Sequence, residues 1–196
     1  MLSYNESLKI LKETNALLEG HFILSSGLHS NEYVQCAKLL SFPKKAEVMC
    51  ASLCEKIKKK FNKIDIVISP AIGGIVVGYE IGRQLNVETI FAERVNGKLE
   101  LRRGFKISEN LNVLVVEDVI TTGKSALECS KFVKENNSNL IGYACIIDRS
   151  NEKLLIDDEI VSQIKIDIKT YDKSEIPPQL KKIEPIKPGS RNSPKW

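Results

Sequence analysis

Within the run "VLVVEDVITTGKS" at positions 113–125, two carboxylates, Glu117 and Asp118, follow four residues suited to a buried strand. Directly after them come Val119, Ile120, Thr121, Thr122, Gly123, Lys124 and Ser125. The Gly-Lys-Ser ending invites comparison with a triphosphate-binding loop. That loop needs a further glycine upstream, and the stretch from Glu117 to Thr122 contains none. Two carboxylates would also repel an incoming triphosphate. A sugar monophosphate meets neither objection. Carboxylates just past a strand accept hydrogen bonds from a ribose diol. Backbone N–H groups and the hydroxyls of Thr121, Thr122 and Ser125, where a helix begins, hold one phosphate. A capped helix after a strand would account for Thr122 or Ser125, but not for two acids at the mouth of an apolar strand.

The elements that must position these groups follow from hydrophobic period. Residues 5–19, "NESLKILKETNALLE", carry Leu8, Leu11, Ala16 and Leu18 at helical spacing, with Gly20 as the stop. "HFILSSGLHSNEYVQCAKLL" reads as two short strands around a Ser-Ser-Gly turn. "FPKKAEVMCASLCEKIKKKF" reads as a helix with proline in its first turn and Val48, Leu53 and Ile57 on one face. From there strands and helices alternate: strands "IDIVIS", "ETIFA", "LNVLVVE" and "LIGYACIID", helices "GGIVVGYEIGRQL" and "KSALECSKFVKEN". Short, nearly continuous apolar strands separated by helices predict an α/β fold, a mostly parallel sheet covered on both faces, with ligands at the carboxyl ends of its strands. Residues 93–110, "ERVNGKLELRRGFKISEN", break that order. They read either as a surface hairpin or as a flexible lid carrying Arg94, Lys98, Arg102 and Arg103. A last alternating strand, "QIKIDIK", precedes a proline-rich basic tail.

With 196 residues, 42% hydrophobic and 28% charged, the chain suits one domain spanning 1–196. No apolar run reaches membrane-spanning length, and the N-terminus has no signal pattern, so neither membrane insertion nor export is expected. Five cysteines, Cys36, Cys50, Cys54, Cys129 and Cys145, have no paired metal spacing and read as buried thiols of a cytoplasmic protein. The net charge of +4 fits an anionic small substrate or a solvated face, and no aromatic-basic interleaving points to nucleic acid.

"VLVVEDVITTGKS" resembles the phosphoribosyl-pyrophosphate motif of the type I phosphoribosyltransferases. Three further stretches resemble the orotate phosphoribosyltransferases within that family. "EGHFILSSGLHSNEYVQ" is similar to their N-terminal substrate segment, through Phe22, Leu24, Ser26, Gly27, Ser30 and Tyr33. "ISPAIGGIVVGYEIGRQL" is similar to their pyrophosphate loop, and "IIDRS" ends a strand on Arg149. The lid and the tail "IKPGSR" resemble one bacterial and archaeal subgroup, so the likeness runs over roughly residues 5–191. The chain departs from many members at Ser25, where lysine is common, and at Ile72 and Gly73, where an aromatic-lysine pair is common. Its lid lacks a histidine, and its tail lacks a cysteine pair.

The resemblance implies the type I fold, with about residues 1–40 and the C-terminal tail forming a hood and residues 93–110 a catalytic lid. It implies transfer of ribose 5-phosphate from phosphoribosyl pyrophosphate to orotate in pyrimidine biosynthesis. Glu117 and Asp118 would take the ribose, and Val119 to Ser125 the 5′-phosphate, with Lys124 pointing outward. Ala71, Ile72, Gly73 and Gly74 would take the pyrophosphate. Arg149, Thr121, Ser26 and Gly27 would take orotate. Lys98 and Arg94, with Asp118, would be catalytic, while Arg102 and Arg103 are weaker candidates. His29 reads as a turn residue or a substrate-side contact. Mg2+ would be bound mainly through the substrate, without direct side-chain ligation, and a homodimer is implied. The competing readings are a phosphoribosyltransferase for another base and a non-catalytic regulator that senses the sugar donor.

Overall fold

A computed structural model describes residues 1–24 and 26–188; Ser25 and the "GSR" part of the tail motif lie outside the described residues. Helix α1 (Tyr4–Glu13) starts in a capping box, where Ser3 accepts from the Glu6 amide and the Glu6 carboxylate accepts from Ser3 N–H at 2.7 Å. It ends at Glu13 rather than at Gly20. Asn15 takes the left-handed conformation (φ 55°), and Leu17 and Leu18 already belong to strand β1 (Leu17–Ile23). Strand β2 (His29–Val34) pairs antiparallel with it, and the short helix α2 (Cys36–Leu40) follows.

Helix α3 (Pro43–Lys60) has its proline in the first turn, as predicted, and buries Leu53 and Ile57 completely. Val48 does not share their face and is 48% exposed. The five-residue step from 48 to 53 turns the helix by about 140° off that face. The buried stripe is Ala46, Met49, Cys50, Leu53, Cys54 and Ile57.

The main sheet comes next: β3 (Ile66–Pro70), helix α4 (Gly73–Leu85), β4 (Glu88–Val95), β5 (Lys98–Leu101), β6 (Asn112–Ile120), helix α5 (Lys124–Glu135), β7 (Asn139–Asp148) and β8 (Ile160–Lys165). Its order is β5-β4-β3-β6-β7-β8, parallel throughout except for β5, which returns antiparallel along β4. The last strand starts before the alternating run at 163–169 and stops inside it. It pairs with β7 from Tyr143↔Ile160 to Asp148↔Lys165, and ends where that strand ends.

Helices cover both faces. On one side Val67, Leu114, Val116, Ala144 and Ile146 pack with α3 and α4. On the other Ile66, Ile68, Val113, Val115 and Cys145 pack with Ala126, Cys129 and Val133 of α5. Consecutive strand residues point to opposite faces, so an unbroken apolar run feeds both cores. Helix α4 lies close to the sheet because Gly78 and Gly82 leave room: a Cβ on either would stand 2.1 Å from Ser69 Oγ and 1.8 Å from Thr89 Oγ1, respectively.

A second sheet, β1-β2-β9, is completed by β9 (Thr170–Tyr171), followed by helix α6 (Pro178–Lys181). The tail is tied to it, since Ile23 N–H donates to Ile186 O and Ile186 N–H to His21 O, both at 2.8 Å. The two histidines lie inside this layer. The Ile183 carbonyl, 2.9 Å from His21 Nδ1, can only accept, so His21 donates from Nδ1. His21 Nε2 then accepts from His29 Nδ1 at 2.7 Å. His29 is thus a buried member of a hydrogen-bonded pair.

Candidate active site

The crossovers leaving β3 and β6 diverge: β3 leads through α4 to β4 on one side, while β6 leads through α5 to β7 on the other. A crevice opens at such a switch point, at the carboxyl ends of the strands. Two loops meet there, residues 71–74 after β3 and residues 119–125 at the end of β6. The contact is between Gly73 and Asp118: a Cβ built on the glycine would stand 2.7 Å from Asp118 Oδ1. Gly74 is nearly as confined, by Ser69, Pro70 and the Val116 carbonyl. The peptide between Ala71 and Ile72 is cis.

Strand β6 runs on through both acids to Ile120, so Glu117 and Asp118 leave it on opposite faces. Asp118 follows Leu114 and Val116 toward α4. Glu117 follows Val113 and Val115 toward α5 and Arg94. Burial pushes Glu117 up to about 8, with Asp118 adding to the rise and Arg94 opposing it. Burial also raises Asp118, against the pull of the Val119 backbone N–H.

After the acids the chain turns at Gly123, which sits at φ 73° in the left-handed region immediately before α5. A side chain there would also strike Ile156, whose Cδ1 lies 2.6 Å from the position of its Cβ. The first N–H groups of α5 have no carbonyl within their own helix to serve, and they open toward the loop as anion donors. Thr121, Thr122 and Lys124 are exposed at the mouth and Ser125 is half-buried.

Arg149 follows β7, and its N–H donates to the Ile120 carbonyl at 2.8 Å, which joins it to the same loop. Its guanidinium is largely buried, yet Nε has no hydrogen-bond partner among the described residues. Burial lowers the pKa of its guanidinium, against the influence of Tyr33 and Glu32 from β2. Burial in turn raises both Tyr33 and Glu32. Tyr33 also packs at 5.7 Å on Phe22, so the small sheet forms one wall beside Arg149. Ser26 and Gly27 are exposed in the β1–β2 turn.

The stretch 93–110 begins as a β-hairpin. Val95 pairs with Lys98 across an Asn96-Gly97 turn with both φ positive (48° and 84°), the geometry such turns need. Arg94 is drawn back by Gly97 O and by Glu128 of α5. Lys98 is exposed, and Arg103 pairs with Glu93 and covers Phe91. The structure therefore brings together Glu117, Asp118, residues 71–74, residues 119–125 and Arg149 around one crevice. Lys98, Arg102 and Arg103 stand on the edge hairpin and the segment after it. Glu128 and Glu32 had no signal in the sequence, where each reads as an ordinary solvent-facing acid.

Among the described residues no three His, Cys, Asp or Glu side chains gather as a metal site. The donors at the crevice are two carboxylates on opposite faces of their strand, so a hard cation there would take its ligands mainly from a substrate. No helix among the described residues is long and apolar enough to cross a membrane. All five cysteines are buried free thiols.

The model of the phosphoribosyl transferase domain family matches residues 44–182. The orotate phosphoribosyltransferase of Caldicellulosiruptor bescii is 47% identical over 184 residues, 94% of this chain and 96% of that protein. The orotate phosphoribosyltransferase of Caldicellulosiruptor saccharolyticus is 48% identical over 94% of this chain and 95% of its own length. Among solved structures, the orotate phosphoribosyltransferase of Aeropyrum pernix superposes with a TM-score of 0.68 at 23% identity, covering 81% of this chain and 92% of that one.

Proposed function

The chain belongs to the orotate phosphoribosyltransferases, and on that premise we propose how its residues carry the reaction. The enzyme transfers the ribose 5-phosphate group of 5-phospho-α-D-ribose 1-diphosphate to orotate, giving orotidine 5′-phosphate and diphosphate for pyrimidine synthesis. The single observation behind the choice of base is Arg149, a buried guanidinium with an unpartnered Nε beside the sugar-phosphate loop. Leaving such a group unpaired costs free energy that an anionic ligand recovers. The carboxylate of orotate matches its planar fork, and a neutral purine does not. This separates the assignment from a phosphoribosyltransferase for another base.

Around that anchor the roles follow from chemistry. Thr121 supplies a hydroxyl where sugar and base meet, and Ser26 and Gly27 close over the base from the small sheet. Glu117 and Asp118 accept from the ribose hydroxyls. Val119, Ile120, Thr121, Thr122, Gly123, Lys124 and Ser125 seat the 5′-phosphate, with Lys124 facing solvent. Ala71, Ile72, Gly73 and Gly74 hold the pyrophosphate through backbone groups. As the ring carbon gains oxocarbenium character, the Asp118 carboxylate stands on its side of the crevice as a fixed negative charge. Arg94 and Lys98, brought over by the hairpin, neutralise the departing pyrophosphate and exclude water. Arg102 and Arg103 have at most a supporting part.

Mg2+ would be held mainly by substrate oxygens, without direct ligation by Glu117 and Asp118, which leave their strand on opposite faces, and it would supply charge neutralisation of the leaving group. Ile72, which caps α4, and Val76 and Tyr79 within it form an exposed apolar stripe, at 85%, 50% and 66% exposure. A stripe of that size at helical spacing supports a homodimer built on this helix.

The test is direct. Protein, the sugar donor, Mg2+ and orotate are mixed and the loss of orotate absorbance is followed, with uracil, hypoxanthine and adenine as competing bases. Turnover of orotate is expected. Exclusive turnover of hypoxanthine or adenine overturns the assignment.

A further inference from the structure

Arg94 rises from the end of β4, but its guanidinium is engaged within its own chain. Nη1 donates to the carbonyl of Gly97 at 2.6 Å, across the hairpin turn, and Nη2 lies 3.0 Å from Glu128 Oε2. Glu128 sits one turn into α5, the helix that begins at the phosphate loop. The hairpin is seated on that helix by Leu99, which is 8% exposed and packs in the same cluster as Cys129 and Val133. Beside this contact runs a groove of about 390 Å3 between hairpin and helix, lined by Lys98, Glu128, Lys131, Phe132 and Glu135 among others. Arg94 is therefore held along α5 with two of its nitrogens engaged within the chain, while Lys98 lines the groove beside it.

We propose that Glu128 is a positioning residue that holds Arg94, and through it the hairpin, against α5 until an anionic substrate draws the guanidinium away. The inference rests on the assignment of Arg94 to the pyrophosphate. The pair is suited to exchange, because side chains 39% and 21% exposed are screened by water and bind weakly. Phosphate oxygens offer the guanidinium two parallel charge-assisted bonds in place of one carboxylate contact. Holding the hairpin back lowers apparent substrate affinity by the fraction of hairpins that remain free. A tight pair would stall each turnover, and a weak one sets a threshold.

Glu128→Gln keeps the shape and removes the charge. It is expected to lower KM for the sugar-phosphate donor about two- to fivefold with kcat within about twofold, and to speed hydrogen exchange at the β5 amides by a similar factor. Glu128→Asp, which keeps the charge on a shorter arm, should fall between. A Glu128→Gln variant with unchanged exchange, or with a raised KM, overturns the proposal. Arg94→Ala separates the two levels of inference. Exchange in Arg94→Ala as fast as in Glu128→Gln supports the hold even if its activity is normal, which would remove only the catalytic role of Arg94. Unchanged exchange in Arg94→Ala removes the hold itself.

Discussion

Asp118 and Gly73 are in contact across the switch point of the sheet: the carboxylate occupies the space a side chain on the glycine would need, with Oδ1 2.7 Å from the position of its Cβ. Two loops that are far apart in sequence are thereby set against each other. The acid of one fixes how closely the other can approach. Gly73→Ala must move either the loop or the carboxylate. Its kcat/KM is expected to fall about 100-fold, since displacements near 1 Å at a reacting centre cost that much. Gly73 is exposed, so the melting temperature should stay within a few degrees of the parent. Steady-state kinetics beside thermal unfolding checks both halves.

Arg149 is predicted to separate activity from stability in the opposite sense to a core residue. Its buried, unpartnered Nε makes it a cost to the free protein. Arg149→Met should therefore leave the unfolding free energy unchanged or raise it, by about 1 kcal/mol. KM for orotate should rise about 100-fold as the carboxylate loses its partner. Binding of the sugar donor alone, measured by calorimetry, should persist.

Glu117 makes stability depend on pH. Burial raises it to about 8 in the folded chain, and the unfolded chain titrates near the ordinary glutamate value of about 4.5. Between these values the folded state binds the extra proton, so stability falls as pH rises through this window and levels off above it. Glu117→Gln should flatten that slope and exceed the parent at about pH 8 by about 2–4 kcal/mol. Urea unfolding at a series of pH values measures the difference. Equal slopes in both proteins would contradict the burial of this acid.

Helix α4 lies as close to the sheet as its glycines allow. Gly78→Ala would set a Cβ 2.1 Å from Ser69 Oγ and should cost about 1–3 kcal/mol through overpacking. Ser69 Oγ is itself buried without a partner among the described residues, so Ser69→Ala should be neutral or stabilising. Combined with Gly78→Ala, Ser69→Gly should recover most of the loss, as measured by denaturant midpoints.

Much of the fold was legible because strand and helix periods are local. Helices α4 and α5 lie where their apolar spacing predicted, at Gly73–Leu85 and Lys124–Glu135. The errors fell where a long-range partner or a single backbone angle decides. Residues 17–19 suit a helix by composition, but they pair with β2 through Leu17↔Val34, Leu18↔Tyr33 and Glu19↔Glu32. The final strand took its limits from β7 and not from its own alternation. Residues 93–110 have no steady period, yet Asn96-Gly97 marks the turn of the hairpin that their first part forms.

The residue types of "VLVVEDVITTGKS" by themselves pointed to a sugar-phosphate site and determined the strand, turn and helix that carry it, because side-chain chemistry and spacing along one strand and one loop are local properties. What tertiary structure alone decided is how its parts face one another. Strand alternation sends Glu117 toward α5 and Asp118 toward α4, the parallel pairing of β3 with β6 brings Gly73 against Asp118, and burial leaves Nε of Arg149 without a hydrogen-bond partner among the described residues. Arg94 and Glu128, 34 positions apart, meet because a hairpin edge packs on a helix. Distances across a fold depend on the packing of every element between them, and no spacing along the chain encodes them.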